Sequence, residues 1–260
     1  MDNIGMTLMR LDDILYSQGF GTRRVCAGLI QQGWVTVHGS TVRDPASEWT
    51  TDGLPYAVQG VDWICQDKAY LMLHKPAGTE CSQKPSTYPS IYTLLPSPLR
   101  LRPQKSAVQG VQAVGRLDQD TTGLLLLSDD GQFIHRMSSP KKHLPKVYEV
   151  TTKHPLDDRQ LARLRSGVVL DDDPKPVCAA ACEIVDADGA ALHLRLTLTE
   201  GKYHQVKRML AAVGNRVECL HRSQIGDLTL PDDLSAGQWR WLNAADLLKL
   251  VPRASAAKQA

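Results

Sequence analysis

Two carboxylates and two threonines share a single short turn, Asp118-Gln119-Asp120-Thr121-Thr122-Gly123, with Arg116 just before it. Carboxylates crowded this closely can ligate a hard cation, or supply a nucleophile or a base. The alternative is that the turn merely joins two strands. The choice rests on what flanks it. Gly115-Arg116-Leu117 interrupts the entry, whereas the exit is the unbroken apolar run Leu124–Leu127, followed by Ser128-Asp129-Asp130-Gly131.

Two readings fail on those flanks. Asp118, Asp120, Thr122 and Gly123, with Asp129 twelfth, imitate a calcium loop of the EF-hand type. A helix should enter such a loop, yet Val111–Val114 reads as a strand. Position twelve also lacks the bidentate glutamate. Asp118-x-Asp120-x-Thr122 equally matches the signature of haloacid-dehalogenase-type phosphatases, which need a hydrophobic strand running straight into the first aspartate. Here that strand comes afterwards.

The elements that must position the turn lie in two blocks. Residues 8–66 read as a small domain of their own. A short amphipathic helix begins at Arg10-Leu11-Asp12 and ends at Gly19 or Gly21; Thr22 then caps a second helix, Arg23–Gln32, closed by Gly33. Trp34–Val37 reads as a strand, His38-Gly39 as a tight turn and Thr41–Arg43 as the return. Arg23 and Arg24 occupy the first turn of the second helix, where the helix dipole disfavours cations. Phosphates facing that end would explain both.

Residues 69–252 mix strands and helices. Strands are expected at Tyr70–His74, Val111–Val114, Leu124–Leu127, Val147–Thr152, Ala180–Val185, Leu192–Leu198 and Arg216–Leu220. Helices are expected at Gln132–Met137, Asp157–Leu164, Tyr203–Val213 and Ala244–Lys249. The Pro- and Ser-rich stretch Ser82–Lys105 reads as a long loop with a short helix near Ser90–Leu95. Residues 253–260 read as a flexible tail.

The chain has 260 residues, 42% of them hydrophobic, and carries a net charge of +2. No long apolar run suggests a membrane span. The start, MDNIGMTLMR, lacks the pattern of a signal peptide. Six cysteines without a C-x-x-C pair suggest free cytosolic thiols rather than a zinc site. A cytoplasmic protein is expected. The charge is concentrated locally: Gly131–Arg165 holds four lysines and four arginines against three acids. Basic segments on a nearly neutral chain imply a local anionic partner.

The residues 8–66, through Arg10-Leu11-Asp12, Thr22-Arg23-Arg24, Leu29-Ile30 and Val35-x-Val37-x-Gly39, resemble the alpha-L RNA-binding domain. The string Gly115–Gly131 resembles the catalytic motif of the pseudouridine synthases, and within them the Rsu family acting on ribosomal RNA. Lys75-Pro76-x-Gly78, Ser139–Val150 and Thr199–Met209 resemble the family's accompanying motifs, so the likeness runs from about Arg10 to Leu250. It implies an α+β fold, in which the small N-terminal domain precedes a catalytic domain with a bent, mainly antiparallel mixed sheet flanked by helices. It implies a uridine isomerase without cofactor or metal, with Asp118 as the catalytic aspartate, acting as nucleophile or as base toward the sugar. Tyr148 would pack on the extruded base and help remove the C5 proton.

Lys207 follows from spacing as well. On a helix Tyr203–Val213 the apolar stripe is Tyr203, Val206, Leu210 and Val213. Lys207 falls at its edge, where it can reach inward to Asp118, while Arg208 points away toward phosphate. Arg116, Lys141, Lys146 and Lys202, with Arg23, Arg24 and Arg208, complete the expected RNA-binding set. The segments Pro145–Tyr148 and Glu200–Gln205 are closer to 16S-directed members than to 23S-directed ones. The expected partner is therefore 16S rRNA or a small-subunit precursor. A 23S-directed paralogue and a non-catalytic rRNA-binding assembly factor are the rival readings. No self-association seam is present, which implies a monomer.

Overall fold

The computed structural model describes residues 7–104, 108–139, 144–171, 173–185 and 189–251. The chain forms two compact units. One comprises the chain up to Tyr70 together with Leu95–Gln112 and Leu127–Gly131; the other comprises the remainder.

The first unit opens with β1 (Leu8–Arg10), α1 (Leu11–Ser17) and α2 (Arg23–Gln31). Then come β2 (Val35–Val37), β3 (Ser40–Val42), β4 (Glu48–Thr50), β5 (Pro55–Val58) and β6 (Val61–Ile64). Leu11, Ile14 and Leu15 recur at helical spacing, so α1 buries one stripe; Cys26 and Ile30 do the same for α2. Both meet Val35, Val37 and Tyr56 in one core. The Thr22 hydroxyl accepts the Val25 N–H, which sets the start of α2. His38 and Gly39 both have positive φ, the requirement of a two-residue hairpin turn with the right twist. The strands run in the order β3-β2-β5-β6. A helix that the sequence pattern did not suggest, α3 (Ser97–Leu101), lies within the stretch read as loop. Behind it Arg102 is buried, with Nε on Asp129 at 2.5 Å, Nη1 on Gln18 at 2.9 Å and Nη2 on the Gln66 carbonyl at 2.8 Å.

Mainly in the second unit lie β7 (Tyr70–Lys75), β8 (Gln112–Ala113), β9 (Thr122–Ser128), β10 (Lys146–Thr152), β11 (Val168–Leu170), β12 (Asp173–Val177), β13 (Ala181–Ile184), β14 (His193–Leu198), β15 (Val217–Ile225), β16 (Leu228–Thr229) and β17 (Trp239–Trp241). Its helices are α4 (Gly131–Ser138), α5 (Asp158–Ser166), α6 (Gln205–Ala212) and α7 (Ala244–Leu248). The main sheet runs β13-β14-β10-β15-β9-β7-β17. Neighbours pair antiparallel at β13–β14, β14–β10, β10–β15 and β7–β17, and parallel at β15–β9. This is the mixed, mainly antiparallel α+β architecture. Leu124–Leu127 are all buried, as a strand covered on both faces should be.

Several expected bounds shift. Asp157 caps α5 instead of opening it, its carboxylate accepting the Gln160 N–H at 2.7 Å. Val111–Val114 contracts to β8, and Arg216–Leu220 extends into β15. The helix near Ser90–Leu95 is a single 3₁₀ turn, Ile91–Leu94. The expected helix Tyr203–Val213 begins two residues late. His204 sits in the left-handed region at φ 47°, so Tyr203 leaves the apolar stripe and is 74% exposed. Val206, Met209, Leu210 and Val213 form the buried stripe instead. The tail 253–260 lies outside the described residues.

Candidate active site

The Asp118 turn is held from below by its backbone. Lys75, at the end of β7, is fully buried and sends Nζ to three carbonyls: Pro76 at 3.0 Å, Gln119 at 3.3 Å and Thr121 at 2.9 Å. Burial pushes the Lys75 ammonium below the ordinary lysine range, against the nearby charges of Cys81, Asp120 and Asp118. The Gly78 N–H adds a 2.7 Å bond to the Gln119 carbonyl, and Thr121 N–H closes the turn on the Asp118 carbonyl at 3.1 Å. After the turn, Gly123 lies opposite Arg222 in the parallel β9–β15 pair at φ 108°. A β-carbon there would stand 2.3 Å from the Arg222 carbonyl oxygen, so only glycine lets these strands meet.

The aspartate side chains meet α6. Lys207 Nζ lies 3.2 Å from Asp118 Oδ2 and 2.6 Å from Asp120 Oδ1. His204 Nε2 reaches the other oxygen of Asp118 at 3.2 Å. The lysine therefore bridges both carboxylates, and Asp118 is held at both of its oxygens. Burial alone would lower the Lys207 pKa, but the hydrogen bond to Asp120 and the two carboxylate charges outweigh it, raising it above the ordinary value. For Asp120, burial works upward and is outweighed by the Lys207 hydrogen bond and charge, so its carboxyl sits below the usual range.

His204 was not among the residues picked from the sequence. Its only signal lay inside the Thr199–Met209 motif, since no periodicity announces a left-handed residue. The loop before it is fixed by Gln205, whose Oε1 accepts the Lys202 N–H at 2.8 Å and whose Nε2 donates to Glu200 at 2.8 Å. The Tyr203 ring stacks on the His204 imidazole with centroids 3.8 Å apart.

A cavity of about 70 Å³ opens beside Asp118, lined also by Arg116, Tyr148, Lys202, His204 and Leu198. Tyr148, on β10, is 8% exposed and lies opposite Arg222 of β15. Asp118, Tyr148, Lys207, Arg116 and Lys202 are thus brought to one neighbourhood. Lys146 lines an adjoining cavity with Arg116, Tyr148 and Lys202. Arg208 does not line either; its Nη1 donates to the Tyr203 carbonyl at 3.1 Å. Arg23 and Arg24 belong to the first unit and are exposed, with Arg23 on Asp13 at 2.8 Å and over the Tyr16 ring. Lys141 lies outside the described residues. Among the described residues no cluster of three or more His, Cys, Asp or Glu is placed to hold a metal ion.

The family model for RNA pseudouridylate synthase matches residues 69–212, and the S4 domain model matches residues 9–49. A protein of Haemophilus influenzae named ribosomal small subunit pseudouridine synthase A is 38% identical over 244 residues, covering 94% of this chain and 100% of the relative. The chain belongs to the RNA pseudouridylate synthase family. An Escherichia coli (strain K12) family member of the same name is also 38% identical, over 250 residues, with 94% and 100% covered. A solved structure described as a pseudouridylate synthase shares 36% identity at a TM-score of 0.63, again covering 94% of this chain and 100% of its own. Family membership therefore applies to almost the whole chain, Asp118 turn and α6 included. No helix among the described residues is long and apolar enough to cross a membrane.

Proposed function

We propose that this chain converts a specific uridine of 16S rRNA to pseudouridine, with Asp118 as the catalytic residue and Tyr148 and Lys207 beside it. The observation that carries the reading is the double hold on Asp118 by Lys207 and His204 at the mouth of a cavity walled by Tyr148. Near-full-length identity to relatives named for the small ribosomal subunit supports the substrate. The S4 match supports residues 8–66 as an RNA-binding domain ahead of a catalytic domain at 69–252.

The reaction breaks the bond from uracil N1 to ribose C1′, turns the base, and joins C5 to C1′. N1 gains a proton and C5 loses one, so nothing is oxidised or added. Asp118 acts at the sugar, as nucleophile or as base. Extruding the uridine costs roughly a few kcal/mol. Stacking on Tyr148 returns on the order of 1–3 kcal/mol of that. The Tyr148 hydroxyl then takes part in removing the C5 proton. Arg116 and Lys202 contact the backbone of the flipped nucleotide, while Arg23, Arg24, Lys141, Lys146 and Arg208 hold flanking RNA. The protein works as a monomer in the cytoplasm on 16S rRNA or a small-subunit precursor.

Tritium release from rRNA labelled at uridine C5 tests this. Wild type should release tritium from 16S rRNA, and Asp118→Asn should bind the RNA yet release none. Equal release by that variant would overturn the assignment. Mapping pseudouridines in a deletion strain assigns the nucleotide; a site lost from 23S instead of 16S rRNA would move the substrate to the large subunit.

A further inference from the structure

A second cavity adjoins the one at Asp118. It encloses about 250 Å³, more than three times the 70 Å³ beside Asp118, and shares Arg116, Tyr148, Glu200, Gly201 and Lys202 with it. Part of its wall is apolar, formed by Val114, Leu126, Met137 and Ile225. Two cations interrupt that wall.

Arg222 is 3% exposed and lies across the β10–β15 register from Tyr148, which places both side chains on one face of the sheet. Its Nε donates to the Leu124 carbonyl at 2.8 Å, whereas Nη2 is buried with no hydrogen-bond partner among the described residues. Lys146 stands close enough to feel it. The Lys146 pKa is lowered, first by burial and then by the charge of Arg222. Its ammonium donates to the Leu144 carbonyl at 3.2 Å. With Arg116 and Lys202 the described lining holds four cations and a single carboxylate, Glu200, which already accepts from Gln205. A buried guanidinium with a free donor, repelled by a lysine, receives an anion favourably. The apolar wall beside it suits the sugar or base attached to that anion.

We propose that this cavity is a second nucleotide subsite, which takes the RNA nucleotide next to the target uridine, with its phosphodiester on Arg222 and Lys146. The inference rests on the Asp118 cavity being the uridine site. The shared lining of Tyr148, Arg116 and Lys202 makes the two cavities contiguous, so one strand can enter both and the enzyme grips two extruded residues. Binding at the larger cavity would then hold the strand while the detached uracil turns in the smaller one.

The test is a titration of the full chain, followed by NMR, with uridine, the dinucleotide UpU, its uncharged methylphosphonate analogue and inorganic phosphate. UpU should bind about tenfold tighter than uridine, the scale of one charge-assisted hydrogen bond. The methylphosphonate should lose that gain. Lys146→Met, which keeps the side-chain length, should also lose it. Met137→Trp, which fills the cavity, serves as the second variant and should lose the gain while binding uridine as wild type does. UpU binding no tighter than uridine would overturn the inference, as would a gain that survives in the methylphosphonate or in the folded variants. Saturable binding of phosphate without any gain for UpU would make this a free-anion site and overturn the RNA assignment. Tritium release by Asp118→Asn judges the uridine reading separately and is untouched by a failed dinucleotide comparison.

Discussion

Lys75 and Lys207 both hold the Asp118 turn, and they do different things to it. Lys75 is fully buried and addresses three backbone carbonyls; Lys207 is partly exposed and addresses two carboxylates. Burial lowers the pKa of the first, and its acidic partners raise that of the second. One lysine fixes where the turn is, and the other fixes where its side chains point. Shape and chemistry are thus assigned to separate cations, although both are the same residue type.

Removing Lys75 should have the largest effect. Lys75→Met takes a buried donor from three carbonyls, of which Gln119 keeps the Gly78 N–H and Pro76 the Thr79 hydroxyl, and a loss of about 1–3 kcal/mol is expected in urea unfolding. Activity should fall with it, because the turn no longer holds its form. Lys207→Met should separate the two roles. Tritium release should drop roughly 100-fold, which corresponds to one charge-assisted hydrogen bond of about 2.7 kcal/mol in the transition state. Its stability should change by no more than about 1 kcal/mol, as for a partly exposed pair. If Lys207→Met unfolds as readily as Lys75→Met, the division of labour is wrong.

His204→Ala tests the second hold on Asp118 and should cost about tenfold in kcat with KM little changed, since one of two contacts remains. The smallest effect lies in alkaline stability. Lys207 has a raised folded pKa, so its contribution is complete below about 10.5 and is lost as pH rises past that value. Lys75 has a lowered folded pKa, so its charge is a burden that lifts as pH rises toward 10.5. Stability curves measured from pH 8 to 11 should therefore bend in opposite senses when each lysine is replaced. Bends of the same sense would contradict the contrast.

How much of this the sequence disclosed follows the same divide. The Leu124–Leu127 strand, the cap at Thr22, and the route of Lys207 to Asp118 depend on local patterns, and local patterns are readable. Lys75 was visible only as part of a motif, because a lysine buried on carbonyls runs against the usual exposure of that residue. His204 escaped because a left-handed residue ahead of a helix leaves no periodic trace, and the same kink removed Tyr203 from its expected stripe. Arg222 escaped because its importance arises from strand neighbours 74 and 99 residues away in sequence, Tyr148 and Gly123 (222 − 148 and 222 − 123). β17 is three residues of an otherwise unpatterned segment. Pairings between distant strands are set by the whole sheet and not by any window of sequence.

The membership of Leu95–Gln112 and Leu127–Gly131 in the first unit has a consequence for how the chain is made. That unit begins near the N-terminus, yet Arg102 needs Gln18 and Gln66 on one side and Asp129 on the other. Synthesis proceeds at about 5–20 residues per second. The unit therefore waits, half-assembled, for about 1–6 seconds between the emergence of α3 and that of Asp129. By the time Asp129 arrives to neutralise Arg102, the Asp118 turn has already been translated, while β10 with Tyr148 and α6 with Lys207 are still to come.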